Sequence, residues 1–185
     1  MELKPQDIVV AIDLATRQPL PGTPSAIDMP ISRRDVAARL GVSLGSVVAS
    51  YKRLEALGLI ARLAIKVERQ MQANRSALLE FLQYGLRYYS HPETVGVGRG
   101  TPTGWSAPGL RDSAPMVPPE TPYVWADPGG TDRGEQITPI HKSAVSLAKA
   151  NKDAYAILAC ADIMRLGRPR EIEIAKMVLS EKLAI

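Results

Sequence analysis

The spacing of apolar residues predicts helices over much of the first 90 residues. One helix begins at Pro5, a residue suited to a first helical turn, and its apolar face consists of Ile8, Val9, Ile12 and Ala15. Another begins after Asn74, a typical N-cap residue. Its apolar stripe consists of Leu78, Leu79, Leu82, Leu86 and Tyr89. Four prolines in residues 17–30 predict a loop between these helices, because proline interrupts helical hydrogen bonding.

Two shorter helices are predicted within residues 32–58. Ser32 is the expected N-cap of a helix over residues 33–40, which Gly41 ends. Ser43 is the expected N-cap of a helix over residues 44–57, with Gly58 as its stop.

The stretch after these helices predicts one β-strand. After Leu59, the apolar Leu63, Ile65 and Val67 alternate with Ala64, Lys66 and Glu68, as is typical of a half-buried strand. Residues 59–73 contain no Gly, Pro, Asn or Asp that could turn a hairpin. We therefore expect a second strand at this place to be short or missing.

Composition separates a middle segment from the rest of the chain. Residues 91–136 hold eight Pro and eight Gly, include both Trp, and show no helical period. Residues 90–119 are either a linker without structure or a segment that wraps a neighbouring surface. Residues 122–140 predict two short strands around an Asp-Pro-Gly-Gly turn, and Trp125 there needs a partner for its indole N–H.

The tail from about Lys142 returns to a helical pattern. A helical hairpin is predicted from residues 154–166 and 169–183, because Gly167 can end the first helix and Pro169 can begin the second. The fold class is therefore mainly α. We expect a domain over residues 1–90, an extended Pro/Gly-rich segment with a possible short hairpin over 91–141, and a helical hairpin over 142–185.

One motif in the first region has a mechanical explanation. Two helices that meet at about a right angle need a small residue at the crossing, a turn residue that can leave the αR conformation, and an apolar anchor from the second helix. Ala37, Gly41 and Val47 have the spacing that supplies these three.

The string DVAARLGVSLGSVVASYKRLEALGLI, which contains this motif, resembles the helix-turn-helix of winged-helix transcription regulators, MarR-like ones included. The wider arrangement of the chain also resembles a little-characterised bacterial group of helix-turn-helix proteins, which implies no activity. The resemblance to winged-helix regulators implies that the second helix enters the major groove of DNA. The groove-facing residues would be Ser43, Leu44, Gly45, Ser46, Val48, Ala49 and Lys52, and the residues near phosphates would be Arg33, Arg34 and Arg53.

The second helix departs from the usual chemistry of base reading. Bidentate recognition of guanine or adenine needs Arg, Lys, Asn or Gln, and this helix offers two serines and one lysine to the groove. Base specificity should therefore be weak. Leu44, Val48 and Ala49 would either contact thymine methyl groups or pack against another protein.

The charge distribution supports a phosphate-facing surface. Residues 31–75 hold nine basic and three acidic residues, a net +6, although the whole chain carries only +4. A basic stripe confined to one segment is typical of nucleic-acid binding, and it also fits a solvated helix face.

The sequence offers no arrangement typical of catalysis or metal binding. GVGRGTPTGW lacks the ending of a phosphate-binding loop, His91 and His141 have no ligand-spaced neighbours, and Cys160 lies in an apolar stretch where burial is expected. We expect no enzyme activity, no cofactor and no metal. The chain has one Cys, no signal-like N-terminus and no long apolar run. These features predict a cytoplasmic protein that does not enter a membrane.

Two functions remain open from the sequence. The first is a bacterial DNA-binding transcriptional regulator, a homodimer whose partner is double-stranded DNA. The second is a protein-interaction module, such as an antitoxin or immunity partner, whose residues 91–185 bind another protein.

Overall fold

Helix α1 (Pro5–Arg17) is buried on all sides and lies at the centre of the fold. In the computed structural model, which describes residues 2–18, 31–65, 68–110 and 121–184, residues 7–14 of this helix have no exposed surface. The predicted face of Ile8, Val9, Ile12 and Ala15 is buried, but so are the residues between them, because later parts of the chain cover the other sides. Residues 19–30, most of the predicted proline loop, lie outside the described residues.

Helices α2 (Arg33–Leu40) and α3 (Leu44–Ala56) confirm the predicted pair and its caps. The hydroxyl groups of Ser32 and Ser43 accept backbone N–H groups of the first turn of each helix. Gly41 ends α2 in the left-handed region at φ 63°, which costs a glycine little. Ala37 and Val47 are buried, as the crossing motif requires.

A hairpin of two strands follows α3, so the prediction of one strand is wrong. Strands β1 (Ile60–Ile65) and β2 (Glu68–Ala73) pair antiparallel from Ile60 opposite Ala73 to Ile65 opposite Glu68. The two residues between them lie outside the described part of the chain. The absence of Gly or Asn misled the prediction, because anchoring of the strands to the rest of the protein also decides whether they pair.

Three consecutive helical segments follow the hairpin and confirm the predicted helix up to Tyr89. They are α4 (Arg75–Glu80), a π-helical turn (Phe81–Gly85) and α5 (Leu86–Tyr89). The side chain of Asn74 caps α4 by accepting the backbone N–H of Ala77. Leu78, Leu79, Leu82 and Leu86 are buried as predicted.

The Pro/Gly-rich segment forms a closed three-stranded barrel. Its strands are β3 (Thr94–Pro102), β4 (Tyr123–Ala126) and β5 (Asp132–Ile137). Both short strands pair antiparallel with β3 and parallel with each other, so the expected hairpin around the Asp-Pro-Gly-Gly turn is wrong although its two strands exist. The long β3 accommodates both, with Gly100 as the residue where its partner changes.

Close backbone approach explains two glycines of this barrel. A Cβ on Gly130 would overlap the backbone of Gly100, and a Cβ on Gly100 would overlap the carbonyl oxygen of Trp125.

Because β3 forms from residues 94–102, the alternative of a structureless linker is wrong for that stretch. Residues 111–120 lie outside the described residues.

The C-terminal part is helical, as predicted. It consists of α6 (Ser143–Ala150), α7 (Lys152–Leu166) and α8 (Pro169–Leu183), with α7 and α8 packed as a hairpin. Helix α6 lies against α1 and α2, and α7 lies against α1 and α5. One cluster of buried apolar residues therefore includes members from the N-terminal, middle and C-terminal parts of the chain.

A buried carboxylate joins the barrel to α7. Asp162 Oδ2 accepts hydrogen bonds of 2.7 Å from Thr103 Oγ1 and from the indole N–H of Trp125, which supplies the partner predicted for that indole. Its Oδ1 lies 2.7 Å from the guanidinium of Arg165, whose other N–H groups reach the carbonyl oxygens of Thr138 and Ser90. Complete burial raises the pKa of Asp162, and Arg165 opposes that shift.

The crossing of α2 and α3 predicts the effect of a larger residue at position 37. Ala37→Leu should lower the free energy of unfolding by about 1–3 kcal/mol, because the added carbons enter a packed crossing. Ala38→Leu is the matched control, since Ala38 is exposed on the same helix. Equal denaturation midpoints for the two variants would show that the helices do not cross at Ala37.

The buried ion pair of α7 predicts a larger loss. Arg165→Met should lower the free energy of unfolding by about 3–5 kcal/mol, because Asp162 would be left buried without its cation. Arg170→Met, an exposed position on α8, should change it by less than about 0.5 kcal/mol. Urea unfolding curves measure both; similar small changes would contradict the role given to this pair.

Candidate nucleic-acid interface

Asp7, a buried acid of α1, fixes the position of α3. The carboxylate of Asp7 is fully buried and accepts two hydrogen bonds of 2.7 Å from the guanidinium of Arg53 on α3. The hydrogen-bonded carboxylate raises the pKa of Arg53. Nearer the start of α3, the Gln6 amide accepts a hydrogen bond from the hydroxyl of Ser46 and donates one to the hydroxyl of Ser50.

Asp13, a second buried acid of α1, holds α2. Its carboxylate lies 3.1 Å from Arg17 Nη1 on its own helix and 3.4 Å from Arg39 Nε on α2. Burial raises the pKa of Asp13, and the two guanidinium groups counter that shift. Helices α2 and α3 are therefore each tied to α1 through one buried carboxylate.

The C-terminal end of α1 holds the hairpin. The side-chain amide of Gln18 donates to the carbonyl oxygen of Met71 and accepts the backbone N–H of Ala73, both at 2.8 Å. It thus binds β2 as a neighbouring strand would. The guanidinium of Arg75 donates to the carbonyl oxygens of Ala15 and Gln18, which stabilises the start of α4 at the same place.

The side of α3 away from α1 is open to solvent. Leu44 is 41% exposed, Gly45 and Lys52 are exposed, and Val48 and Ala49 are half-buried. Ser43 is exposed, but its hydroxyl accepts the backbone N–H of Ser46. Of the predicted groove-facing residues, Leu44, Gly45, Val48, Ala49 and Lys52 thus lie along one face of α3, whereas Ser46 faces α1, where its hydroxyl is bonded to Gln6.

The predicted phosphate-binding residues, Arg33, Arg34 and Arg53, and the predicted groove-facing Lys52 differ in how free their charges are. Arg34 and Lys52 are exposed and, within the described residues, have no acid as a partner. Arg33 is exposed and stacks on Tyr51, with its guanidinium carbon 5.1 Å from the ring centre. Arg53 is committed to Asp7, so three of these four predicted cations remain available to a ligand.

Other members of the basic stripe are also bound within the protein. Arg39 pairs with Asp13, Arg62 pairs with Glu55, and Arg75 binds the end of α1. The net charge of residues 31–75 therefore overstates the cations that a ligand could reach. The signal that sequence reasoning missed was the two acids inside the apolar run of α1, since a buried acid requires a basic partner.

The described residues contain no group of three or more His, Cys, Asp or Glu side chains that could hold a metal ion. Cys160 is fully buried, as predicted, and burial raises the pKa of its thiol to about 12. Among the described helices, none has the length and apolar character needed to cross a membrane.

Substitutions at the neighbouring residues Arg53 and Lys52 of α3 should change the free energy of unfolding by very different amounts. Arg53→Met should lower the free energy of unfolding by about 3 kcal/mol, because it leaves the buried Asp7 carboxylate unpaired. Lys52→Met is the matched control and should change that free energy by less than about 0.5 kcal/mol, because Lys52 is exposed. Chemical denaturation tests both, and a stable Arg53→Met variant would contradict the anchoring role of the Asp7 pair.

Comparison with known proteins does not indicate a function for the α3 face. No family model, no curated protein and no solved structure matches the chain. The function of the α3 face must therefore be inferred from its geometry and chemistry.

Proposed function

We propose that the protein is a non-enzymatic transcriptional regulator that binds double-stranded DNA. The observation that carries the proposal is the outer face of α3. This helix is tied to α1 by the Arg53–Asp7 pair, and the opposite face leaves Leu44, Val48 and Lys52 accessible. A rigidly held helix with an exposed outer face suits insertion into the major groove, which is wide enough for an α-helix.

Arg33 and Arg34 support this proposal from the first turn of α2. Both are exposed, as is Lys52 on α3. We assign phosphate binding to these three residues. Arg53 receives a positioning role instead, because its release to a phosphate would leave Asp7 buried and unpaired at a cost of about 3–5 kcal/mol.

We propose that the hairpin β1–β2 is the wing of a winged helix-turn-helix. It begins four residues after α3 ends at Ala56, and Gln18 and Arg75 bind its base to α1. A short hairpin fixed beside a recognition helix can contact the neighbouring groove or backbone. We propose that β1–β2 adds such contacts, so that binding does not depend on α3 alone.

Sequence recognition should come from apolar contacts and DNA shape. The exposed face of α3 presents Leu44, Val48 and Ala49, whose side chains can touch thymine methyl groups but cannot form bidentate hydrogen bonds. Such contacts discriminate weakly. We therefore propose a cytoplasmic homodimer that combines two weak half-sites about one helical turn apart.

The same apolar face also supports a second candidate, a protein-docking module of the antitoxin or immunity type. Leu44 is 41% exposed at the start of α3, and Leu57 is 43% exposed just after its end. Exposed leucines at both ends of a helix suit a protein partner as well as a groove. The neighbouring gene would be informative, since an adjacent toxin would favour this candidate.

Salt dependence tests the DNA-binding proposal. With three phosphate contacts per protomer, the slope of log K against log salt for duplex DNA should be about −2.7 per protomer. Arg34→Ala and Lys52→Ala should each make the slope shallower by about 0.9 per protomer. Each should weaken binding to all sequences alike. Fluorescence anisotropy with a labelled duplex, recorded between about 50 and 200 mM salt, measures this.

Arg170→Ala is the control, because it removes the same charge from an exposed position on α8. It should leave the slope unchanged. A binding constant independent of salt, or equal effects of all three variants, would contradict the assignment of phosphate contacts to α2 and α3.

A further inference from the structure

Strand β3 extends beyond the part of the barrel that β4 closes. Strand β4 pairs with residues 100–102, whereas β5 pairs with residues 94–100. Because Gly100 pairs with both strands, β4 and β5 lie on opposite edges of β3. In the described part of the chain, residues 94–98 therefore have a strand on one edge and none on the other. An edge of this kind can form a backbone ladder with another extended chain.

The free edge of β3 is exposed and apolar. Val95 is 66% exposed and Val97 is 62% exposed. The stretch TVGVG, residues 94–98, contains no charged residue and no proline. Charges and prolines are what natural proteins commonly place on an edge strand to prevent its pairing. The β3 edge lacks both of these protections.

A bulge limits the length over which this edge can pair. The register against β5 shifts between Thr94 and Gly96, so Val95 has no partner on β5. A bulge bends the strand, which restricts pairing with another chain to the few residues around it. Gly96 lies at this bend, and a Cβ built on it would meet nothing within 4 Å. No other part of the described chain therefore covers the strand at Gly96.

Opposite charges flank the apolar stretch at equal distances from Gly96. Glu93 lies three residues before this glycine, and Arg99 lies three residues after it. Glu93 continues the strand, because its N–H donates to the hydroxyl of Thr138 and its carbonyl oxygen accepts the N–H of Thr138. Both charged side chains are exposed, and among the described residues neither forms an ion pair. Each charge is thus available to a partner that follows the strand.

We propose that β3 pairs antiparallel with β3 of a second copy of the chain, with Gly96 opposite the partner's Gly96. In this register Glu93 lies opposite the partner's Arg99, and Val95 lies opposite the partner's Val97. Two-fold symmetry repeats both pairs, so two ion pairs flank two apolar pairs. The stretch is complementary to itself, which favours a second copy over a strand of another protein. Each copy uses its one free edge of β3, so the assembly closes as a dimer.

The contact between two β3 strands gives the proposed homodimer its interface, so it rests on that homodimer but not on DNA binding. Sedimentation equilibrium of the full chain without DNA tests it. The natural chain should have twice the mass of one chain at about 100 μM. Val97→Lys should raise the dimer dissociation constant about tenfold or more, because it places a charge on the pairing edge.

Met177→Lys is the matched control. Met177 is 71% exposed on α8, so this variant also replaces an exposed apolar side chain by a cation, but away from β3. It should leave the dissociation constant unchanged, and urea unfolding should show that both variants fold like the natural chain. Equal dissociation constants for the two variants would overturn the β3 interface. A natural chain that stays monomeric at about 100 μM would also overturn it, and would leave the edge to a strand of another protein.

Exchange of the two charges tests the register. Glu93→Arg alone, or Arg99→Glu alone, puts like charges opposite each other at both ends of the ladder and should weaken the dimer about tenfold or more. An equimolar mixture of these two variants should form a heterodimer, because one variant supplies two cations and the other two anions. Both substitutions in one chain should restore the dissociation constant to within about threefold of the natural value.

The outcomes separate this interface from the proposed function. A double variant that dimerises no better than the single ones would overturn the β3 register. A homodimer that all of these variants leave intact would overturn the β3 interface but not the homodimer itself. DNA binding is scored separately, by the salt dependence of the Arg34 and Lys52 variants, and neither residue lies on β3.

Discussion

The need to pair two buried carboxylates on α1 determines how the N-terminal half is arranged. Asp7 and Asp13 have no exposed surface, and an unpaired buried carboxylate would cost several kcal/mol. Asp7 binds Arg53 of α3, whereas Asp13 binds Arg17 of its own helix and lies 3.4 Å from Arg39 of α2. The orientation of α3 is thus set from its inner side, which leaves its outer side available for a ligand.

The C-terminal half uses the same principle at one site. Asp162 on α7 joins the barrel to the helices by accepting from Thr103, Trp125 and Arg165. Such pairs add less net stability than apolar packing of the same volume, but they penalise any arrangement that separates the partners. We infer that this penalty fixes the register between the small barrel and α7, together with the hydrogen bond from the Tyr155 hydroxyl of α7 to the carbonyl oxygen of Pro102.

Local chemistry could be predicted from the sequence and pairing between distant segments could not. The caps at Ser32, Ser43 and Asn74 depend only on the next few residues, and they were found. The second strand of the β1–β2 hairpin depends on Gln18, more than 50 residues away, and it was missed. Arg53 looked like a phosphate ligand because its partner Asp7 lies 46 positions earlier in the chain.

The contact between the apolar face of α3 and DNA is the central claim, and replacement of thymine by uracil tests it most directly. A duplex selected from random sequences would be compared with its uracil counterpart, for the natural chain and for Leu44→Ala. Each lost methyl contact should cost about 0.8 kcal/mol, or about fourfold in affinity. Leu44→Ala should remove part of that difference, because it shortens a side chain that would touch a methyl group. Replacement of thymine by uracil changes neither the charge of the protein nor the phosphates. Equal affinity for both duplexes would contradict the claim and favour the protein-docking function.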